Sequence, residues 1–474
     1  MSPSDPSIDF QASPNPLIRP EPRVLPPEYP GAARYAEEEV DAVVRVVRNR
    51  SPFRYYGPRL GGEVARLEDE FACFLASSPG GTWPANSPFR VTAVNSGTGA
   101  LEVALDALGV GAGDEVLVQG FLWISSISAI VRQRAIPVLV DSDATLNLDP
   151  DEIRRRIGPK TRVIMPVPML GGCARIGRLA ETVRTVNAER ARQGLPPVRI
   201  LEDCAQSMGA HAYGIPGSVE PTAPEGIHRV GTFGDVGIFS LQINKNITAG
   251  EGGLIVTRDP DLARRIDALH NAGYARGKAP PVNWYGDEPV GWGHGRRLGE
   301  MQGAVARVQL RRLDDILAAM RRGHDSIERH LRSLGLKTRA RADADDPGDT
   351  GYYCQFHLPD RGEDDAGRIL RGRRIADALR EFGLRPWFLH DFEVHVYYNI
   401  EPLVGRWPLA GGGPWPSGDA SSDPRYAYAR GTLPKLDRLL TSTIGIHVPS
   451  TLSGTEEAYI RQALSWVVAT ETDR

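Results

Sequence analysis

Apolar residues recur at helical spacing between residues 34 and 50. Val40, Val43, Val44 and Val47 share one face, with acids early and arginines late, which predicts an amphipathic helix. Residues 57–75 read as a turn followed by a helix through Val64, Leu67 and Phe71. From Val91 onward the pattern changes to short apolar runs separated by helical stretches. The runs at 91–94, 115–118, 137–140, 162–165, 198–201, 236–241 and 253–257 predict strands. Helices are predicted at 99–108, 125–134, 153–157, 176–193 and 261–271, and a single long one at 299–323. This alternation implies an α/β fold with a mostly parallel sheet covered by helices on both faces.

Beyond about residue 330 the character shifts. Residues 352–358 predict a strand, and 373–382 and 456–469 predict helices, so the C-terminal part reads as a smaller α+β lobe. The stretches 343–351 and 411–425 read as loops. Residues 1–30 are rich in proline and polar side chains and lack the apolar core of a secretory signal. The expected division is an extended arm at 1–30, a large domain with N-terminal helices at 31–330, and a small domain at 331–474.

Composition narrows the function classes. The 474 residues exceed one small core and suggest two lobes. A net charge of −3 carries none of the basic excess of a nucleic-acid surface. No apolar run reaches the length of a membrane span, so the expectation is a cytoplasmic protein with no membrane partner. Cys73, Cys173, Cys204 and Cys354 lie far apart and lack metal-type spacing, so they read as packing residues, and no metal site is expected.

Three segments carry chemistry. Ser96, Gly97 and Thr98 follow a predicted strand and open a predicted helix, where free N–H groups and a positive dipole end suit a phosphate. Asp203 follows the strand at 198–201, at the edge where open α/β sheets bind ligands, and its carboxylate suits a pyridine nitrogen. Lys245 follows the strand at 236–241 and is flanked by Ile243, Ile247, Ala249 and glycines, an unusual setting for a solvated lysine. An amine with a lowered pKa there suits Schiff-base formation. Trp123 follows the strand at 115–118 and suits stacking on a ring, and Ser240 suits a second phosphate contact. Each residue alone also has an ordinary reading, as a turn residue, a helix cap, a surface lysine or a core aromatic. Their order along the chain gives the set its force.

At this point the sequence resembles the DegT/DnrJ/EryC1/StrS family of pyridoxal phosphate enzymes. The resemblance rests on Ser96-Gly97-Thr98-Gly99-Ala100-Leu101, on Glu202-Asp203-Cys204-Ala205-Gln206 running to Gly209-Ala210, and on the run from Phe239-Ser240 through Lys245 to Gly250-Glu251-Gly252-Gly253. It implies a fold-type I transferase with a seven-stranded, mostly parallel central sheet and a smaller C-terminal α+β domain. It further implies a homodimer with shared active sites. By resemblance, Lys245 and Asp203 are catalytic. Ser96, Gly97, Thr98, Trp123, Gln206 and Ser240 bind pyridoxal 5'-phosphate, which becomes pyridoxamine 5'-phosphate for the second half-reaction. Gln242, with the segments around Arg54-Tyr55 and His395-Val396-Tyr397, resembles the branch acting on aminocyclitols, and these residues are expected at the substrate mouth.

The implied activity is transfer of an amino group from L-glutamate or L-glutamine to a keto or aldehyde acceptor, a sugar, cyclitol or other natural-product intermediate of antibiotic biosynthesis. Two positions depart from the family pattern. Gly295 and Arg296 stand where an asparagine and an aromatic are usual, and Arg296 is expected to take over phosphate or carboxylate binding. Pro168 stands where a histidine is common. Two other readings remain. One is a pyridoxal phosphate enzyme of another class, such as a dehydratase, although Lys245 argues against the sugar dehydratase branch, in which a histidine replaces it. The other is a non-catalytic regulator, which the lack of a DNA-binding extension disfavours.

Overall fold

Four strands of the main sheet are buried along their whole length, which is why they read as continuous apolar runs. In the computed structural model, residues 18–217, 225–274, 289–342, 348–416 and 423–471 are described. The strands are β1 (Arg90–Val94), β2 (Glu115–Gln119), β3 (Ile136–Val140), β4 (Thr161–Met165), β5 (Arg199–Asp203), β6 (His211–Gly214), β7 (Gly226–Arg229), β8 (Val236–Ser240) and β9 (Gly253–Thr257). Four short strands follow: β10 (Lys337–Thr338), β11 (Tyr353–His357), β12 (Pro386–Phe388) and β13 (Thr443–His447). β13 belongs to the smaller sheet.

The main sheet has seven strands in the order β1-β9-β8-β5-β4-β2-β3. β9 runs antiparallel to both its neighbours, and the other six strands share one direction. The second sheet, β10-β11-β13-β12, is antiparallel, and β6 and β7 form a separate ribbon. Among the described residues, no helix is long and apolar enough to cross a membrane.

Two large cores organise the described residues, beside a small cluster of Ala42, Val46, Ala304 and Val308. The larger surrounds the main sheet and also takes in Leu389, Phe392, Val396, Tyr397 and Leu433 from the C-terminal part. The smaller joins the helices Asp365–Glu381 and Gly454–Glu471 to the second sheet and includes Leu25 of the N-terminal arm. The helix Leu313–Ser333 serves both cores, with Leu313, Ile316 and Met320 in the first and Ile327 and Leu331 in the second.

The single helix expected at 299–323 is two, Glu300–Arg311 and Leu313–Ser333. At the joint the Arg312 N–H donates to the Gln309 carbonyl at 3.0 Å, a tighter turn than the α-helix makes. The Arg312 guanidinium is drawn off to Glu38, Glu39 and the Arg34 carbonyl. The helix expected at 373–382 begins earlier, at Asp365, where the Asp364 side chain caps it by accepting from the Gly367 N–H at 2.8 Å. Residues 18–30 of the arm carry no helix or strand, and 1–17 lie outside the described residues. The parts of the predicted loops at 343–347 and 417–422 also lie outside them. Cys173, Cys204 and Cys354 are buried, Cys73 is half-buried, and none of the four forms a disulfide.

Candidate active site

The carboxyl ends of the six parallel strands share one edge of the sheet, where loops can converge on a ligand. A cavity of about 530 Å³ lies there. Ser96, Gly97 and Thr98 line it just beyond β1, Trp123 beyond β2, Asp203 and Gln206 at and beyond β5, and Ser240, Gln242 and Lys245 at and beyond β8. His395 reaches it from the C-terminal part.

The turn after β1 is built for an anion. Ser96 caps the helix Gly97–Ala107, its Oγ accepting from the Gly99 N–H at 2.9 Å. The Gly97 and Thr98 N–H groups in that first turn have no intrahelical partner and line the cavity. Two hydroxyls stand beside them. Thr98 Oγ1 donates to Ser125 Oγ at 2.9 Å, and Ser240 Oγ accepts from the Gln242 N–H at 3.3 Å. A Cβ on Gly97 would lie 2.9 Å from Ser240 Cβ, so the glycine is what lets β8 and the turn close on the same space.

Asp203 ends β5 and is 3% exposed. Its Oδ2 accepts from Ser126 Oγ at 2.7 Å and its Oδ1 from the Ala205 N–H at 3.2 Å. Burial pushes its carboxyl above the ordinary range, while these two donors and the charge of Lys245 pull it back. Glu202, one residue earlier, faces away into the protein. It accepts the N–H groups of Gly231, Phe233 and Gly234 at 2.7–2.8 Å and so ties β5 to the turn before β8.

Lys245 sits in a loop closed at its base by Leu241, whose N–H donates to the Gly252 carbonyl and whose carbonyl accepts from Ala249 N–H and Thr248 Oγ1. The Asn246 side chain anchors the loop to the Met208 carbonyl, and the Tyr352 hydroxyl anchors it to the Asn244 carbonyl at 2.7 Å. The Lys245 amine makes no hydrogen bond or ion pair with a described residue. Burial lowers it to about 8, against the opposing charges of Asp203 and Glu251.

Gln206 Oε1 accepts from the Leu170 N–H at 2.9 Å, which leaves its amide N–H groups to the cavity. Trp123 is 43% exposed, with its ring 4.8 Å from that of His395. His395 stacks on Phe392 at 4.0 Å, and burial lowers its imidazole to about 4, so it is neutral at pH 7. Its backbone carbonyl accepts from the Leu122 N–H, which locks the C-terminal segment against the loop after β2.

Four residues expected at the mouth do not line the cavity of their own chain. Arg54 is buried on Glu68 at 2.8 Å and the Ala93 carbonyl at 3.0 Å. The Tyr55 hydroxyl is bonded to His270 Nε2 at 2.9 Å. Tyr397 is 0% exposed, with its hydroxyl on Asp437. Arg296 lies against the outer side of the helix Gly97–Ala107 and pairs with Glu102 at 2.5 Å, so the carboxylate that holds it belongs to the protein. Within one chain Arg54, Tyr55 and Tyr397 hold their polar ends in these bonds, while Arg296 keeps a buried Nε without a hydrogen bond among the described residues. Pro168 is buried next to the cavity-lining Val167 and Met169.

Sequence reasoning missed several lining residues. Ser125, which lines the cavity, and Ser126, which lies behind it and holds Asp203, were legible as hydroxyls shortly after Trp123. Glu28, Tyr352, Tyr353, Trp387 and Phe392 arrive from remote parts of the chain and left no local signal.

The set fits pyridoxal phosphate: two unpartnered helix N–H groups with hydroxyls for a phosphate, a buried carboxylate for a ring nitrogen, and an unpartnered amine of lowered pKa. A model of the DegT/DnrJ/EryC1/StrS aminotransferase family matches residues 38–370. An L-glutamine:2-deoxy-scyllo-inosose aminotransferase of Streptomyces kanamyceticus is 38% identical over 330 residues, covering 68% of each chain. The crystal structure of a 3-amino-5-hydroxybenzoic acid synthase matches with a TM-score of 0.68 and 28% identity, over 92% of this chain and 97% of the other. The pyridoxal phosphate form of a sugar aminotransferase from Streptococcus pneumoniae shares the fold, with a TM-score of 0.68 at 20% identity, over 92% and 97% of the two chains.

Proposed function

The chain belongs to the DegT/DnrJ/EryC1/StrS aminotransferase family, and from that membership we propose how its residues divide the work. The protein is a pyridoxal phosphate-dependent aminotransferase of secondary metabolism. When bound, the cofactor supplies an electron sink for the carbon that exchanges its amine. Gly97 and Thr98 N–H groups, with the Ser96, Thr98 and Ser240 hydroxyls, hold the phosphate. Asp203 keeps a proton on the ring nitrogen. The Gln206 amide donates to the ring oxygen, and Trp123 covers one face of the ring. Lys245 carries the cofactor and moves a proton at Nζ. An amine lowered to about 8 is close enough to neutral pH to give and take that proton.

The single observation behind this reading is the unpartnered Lys245 amine in one cavity with Asp203 and the open helix turn. The donor is L-glutamine or L-glutamate, and the acceptor a cyclitol or sugar ketone or aldehyde. The glutamine-dependent cyclitol aminotransferase relative supports that order of preference. A homodimer sharing its sites, located in the cytoplasm, completes the proposal. The test loads the protein with pyridoxal phosphate and adds L-glutamine or L-glutamate. The absorbance should change to that of pyridoxamine phosphate, and 2-deoxy-scyllo-inosose should reverse it with an aminated product seen by mass. No change with either donor would sink the proposal.

A second reading is pyridoxal phosphate chemistry of another class such as dehydration; the match to the 3-amino-5-hydroxybenzoic acid synthase, named as a synthase and not as an aminotransferase, keeps it in view. A product that has lost water from the acceptor, without amine transfer, would favour it.

A further inference from the structure

One of the carboxylates facing the cavity comes from a part of the chain remote from the motifs. Glu28 lies in the arm, which runs without regular structure along the small lobe. Leu25 inserts into the small core, Arg385 Nη1 donates to the Pro26 carbonyl at 2.9 Å, and Ser450 Oγ donates to the Pro30 carbonyl at 2.8 Å. These three anchors bracket Glu28 and fix it at the cavity wall.

Its carboxylate is poorly served there. It accepts no hydrogen bond from a described residue, and its one ion pair, to Arg385 Nε, is long at 3.9 Å. The side chain is 29% exposed, and burial holds its carboxyl above the ordinary range. A half-desolvated carboxylate without donors costs free energy unless a ligand supplies them. Aromatic walls flank it. Tyr352 and Tyr353 pack edge to face at 4.8 Å, and Trp387 lies 4.3 Å from Phe392. Aromatic faces accept the C–H face of a saturated ring, and a carboxylate accepts from groups at that ring's edge. Among the described residues lining the cavity, Lys245 is the one lysine or arginine, against the carboxylates of Glu28, Asp203, Glu251 and Glu393.

We propose that Glu28 is a specificity-determining residue for the acceptor: it accepts hydrogen bonds from hydroxyl or ammonium groups of a neutral or cationic polyhydroxylated ring and repels acceptors bearing phosphate or carboxylate. This rests on the aminotransferase reading of the cavity. The arm thereby joins substrate choice to the docking of the small lobe.

The experiment compares wild type, Glu28→Gln, Glu28→Ala and Glu28→Arg as pyridoxal phosphate holoenzymes, with the two half-reactions followed separately. In Glu28→Ala the KM for 2-deoxy-scyllo-inosose should rise at least tenfold more than the KM for L-glutamine, with kcat for the acceptor half within about threefold. Glu28→Gln should fall between Glu28→Ala and wild type. Glu28→Arg should shift the ratio of kcat/KM between a ketose phosphate and the cyclitol ketone at least a hundredfold towards the phosphate. Equal effects on donor and acceptor, or an unchanged acceptor KM, would overturn the proposal. Calorimetric binding of the cyclitol ketone to the pyridoxamine phosphate form separates the two readings. Loss of binding in Glu28→Ala, with no turnover by wild type, would sustain Glu28 and remove the aminotransferase reading. Undiminished binding in Glu28→Ala would remove Glu28.

Discussion

Ser126→Ala should move the acid side of the pH profile upward. The hydroxyl is fully buried at the start of the helix Ile124–Arg132 and donates to Asp203 Oδ2 at 2.7 Å. Burial favours the neutral Asp203 carboxyl, and Ser126 is the strongest of the groups opposing it. A hydrogen bond to a charged group is worth about 1.5–3 kcal/mol net. At about 1.4 kcal/mol per pK unit, its loss raises the Asp203 pKa by roughly one to two units. The ionised carboxylate is the form that holds a proton on the ring nitrogen, so function is lost as pH falls through that pKa. Raising the pKa therefore moves the acid limb to higher pH, by the same one to two units. The assay is kcat/KM for the L-glutamine half-reaction from about pH 5 to 9. Ser126→Ala should approach wild type at the alkaline end and fall roughly 10- to 100-fold behind it on the acid limb. Asp203→Asn, which has no carboxyl to titrate, should be low at every pH and lack that limb. An unmoved acid limb in Ser126→Ala, or a loss equal at all pH values, would refute the reasoning and leave Ser126 a packing residue.

Capture of pyridoxal phosphate by the cofactor-free protein requires the neutral Lys245 amine, so its rate should fall about tenfold per pH unit below about 8 and level off above it. Lys245→Ala should retain no cofactor mass after borohydride reduction. Gly97→Ala places a methyl 2.9 Å from Ser240 Cβ and should weaken cofactor binding by the roughly 1–3 kcal/mol of an overpacked site, read by titrating the cofactor-free protein. Glu202→Gln turns an amide N–H₂ towards the Gly231 N–H, which now donates to Oε2 at 2.8 Å. The unsatisfied donors should cost about 1–3 kcal/mol, seen as a lower Tm with Phe233 and Gly234 still served by the retained oxygen.

Strands buried on both faces were the legible part of the fold. β2, β3, β8 and β9 agree with their apolar runs to within a residue or so, because no solvent face interrupts them. The short strand β12 is held by pairing with the glycine-centred β13, and β13 by β12 and β11, partners remote in sequence, and neither gave a periodic signal. The break at Arg312 was hidden because apolar spacing continues through it from Val308 and Leu310 to Leu313 and Ile316, while the acids that draw Arg312 away lie near residue 38. The site divides the same way. Lys245, Asp203 and the Ser96 turn are each placed by the strand just before them, so local sequence suffices. Arg54 and Tyr55 look like mouth residues locally, but their fate is decided by Glu68 and by His270, 215 residues from Tyr55.

Burial in one cavity acts in opposite directions on the two groups that matter most. It lowers the Lys245 amine and raises the Asp203 carboxyl, both towards neutrality, because each charged form loses water. Their mutual attraction works the other way on both and keeps the charges from vanishing. Ser126 and the Ala205 N–H tip Asp203 back towards its anion, whereas no neighbour donates to or accepts from the Lys245 amine among the described residues. The asymmetry of hydrogen bonding therefore separates the roles: a carboxylate drawn back towards its anion and a lysine whose neutral form burial favours. A loop pinned by Tyr352, Asn246 and Thr248 holds that lysine where no described residue hydrogen-bonds to it, and burial in that setting lowers its pKa.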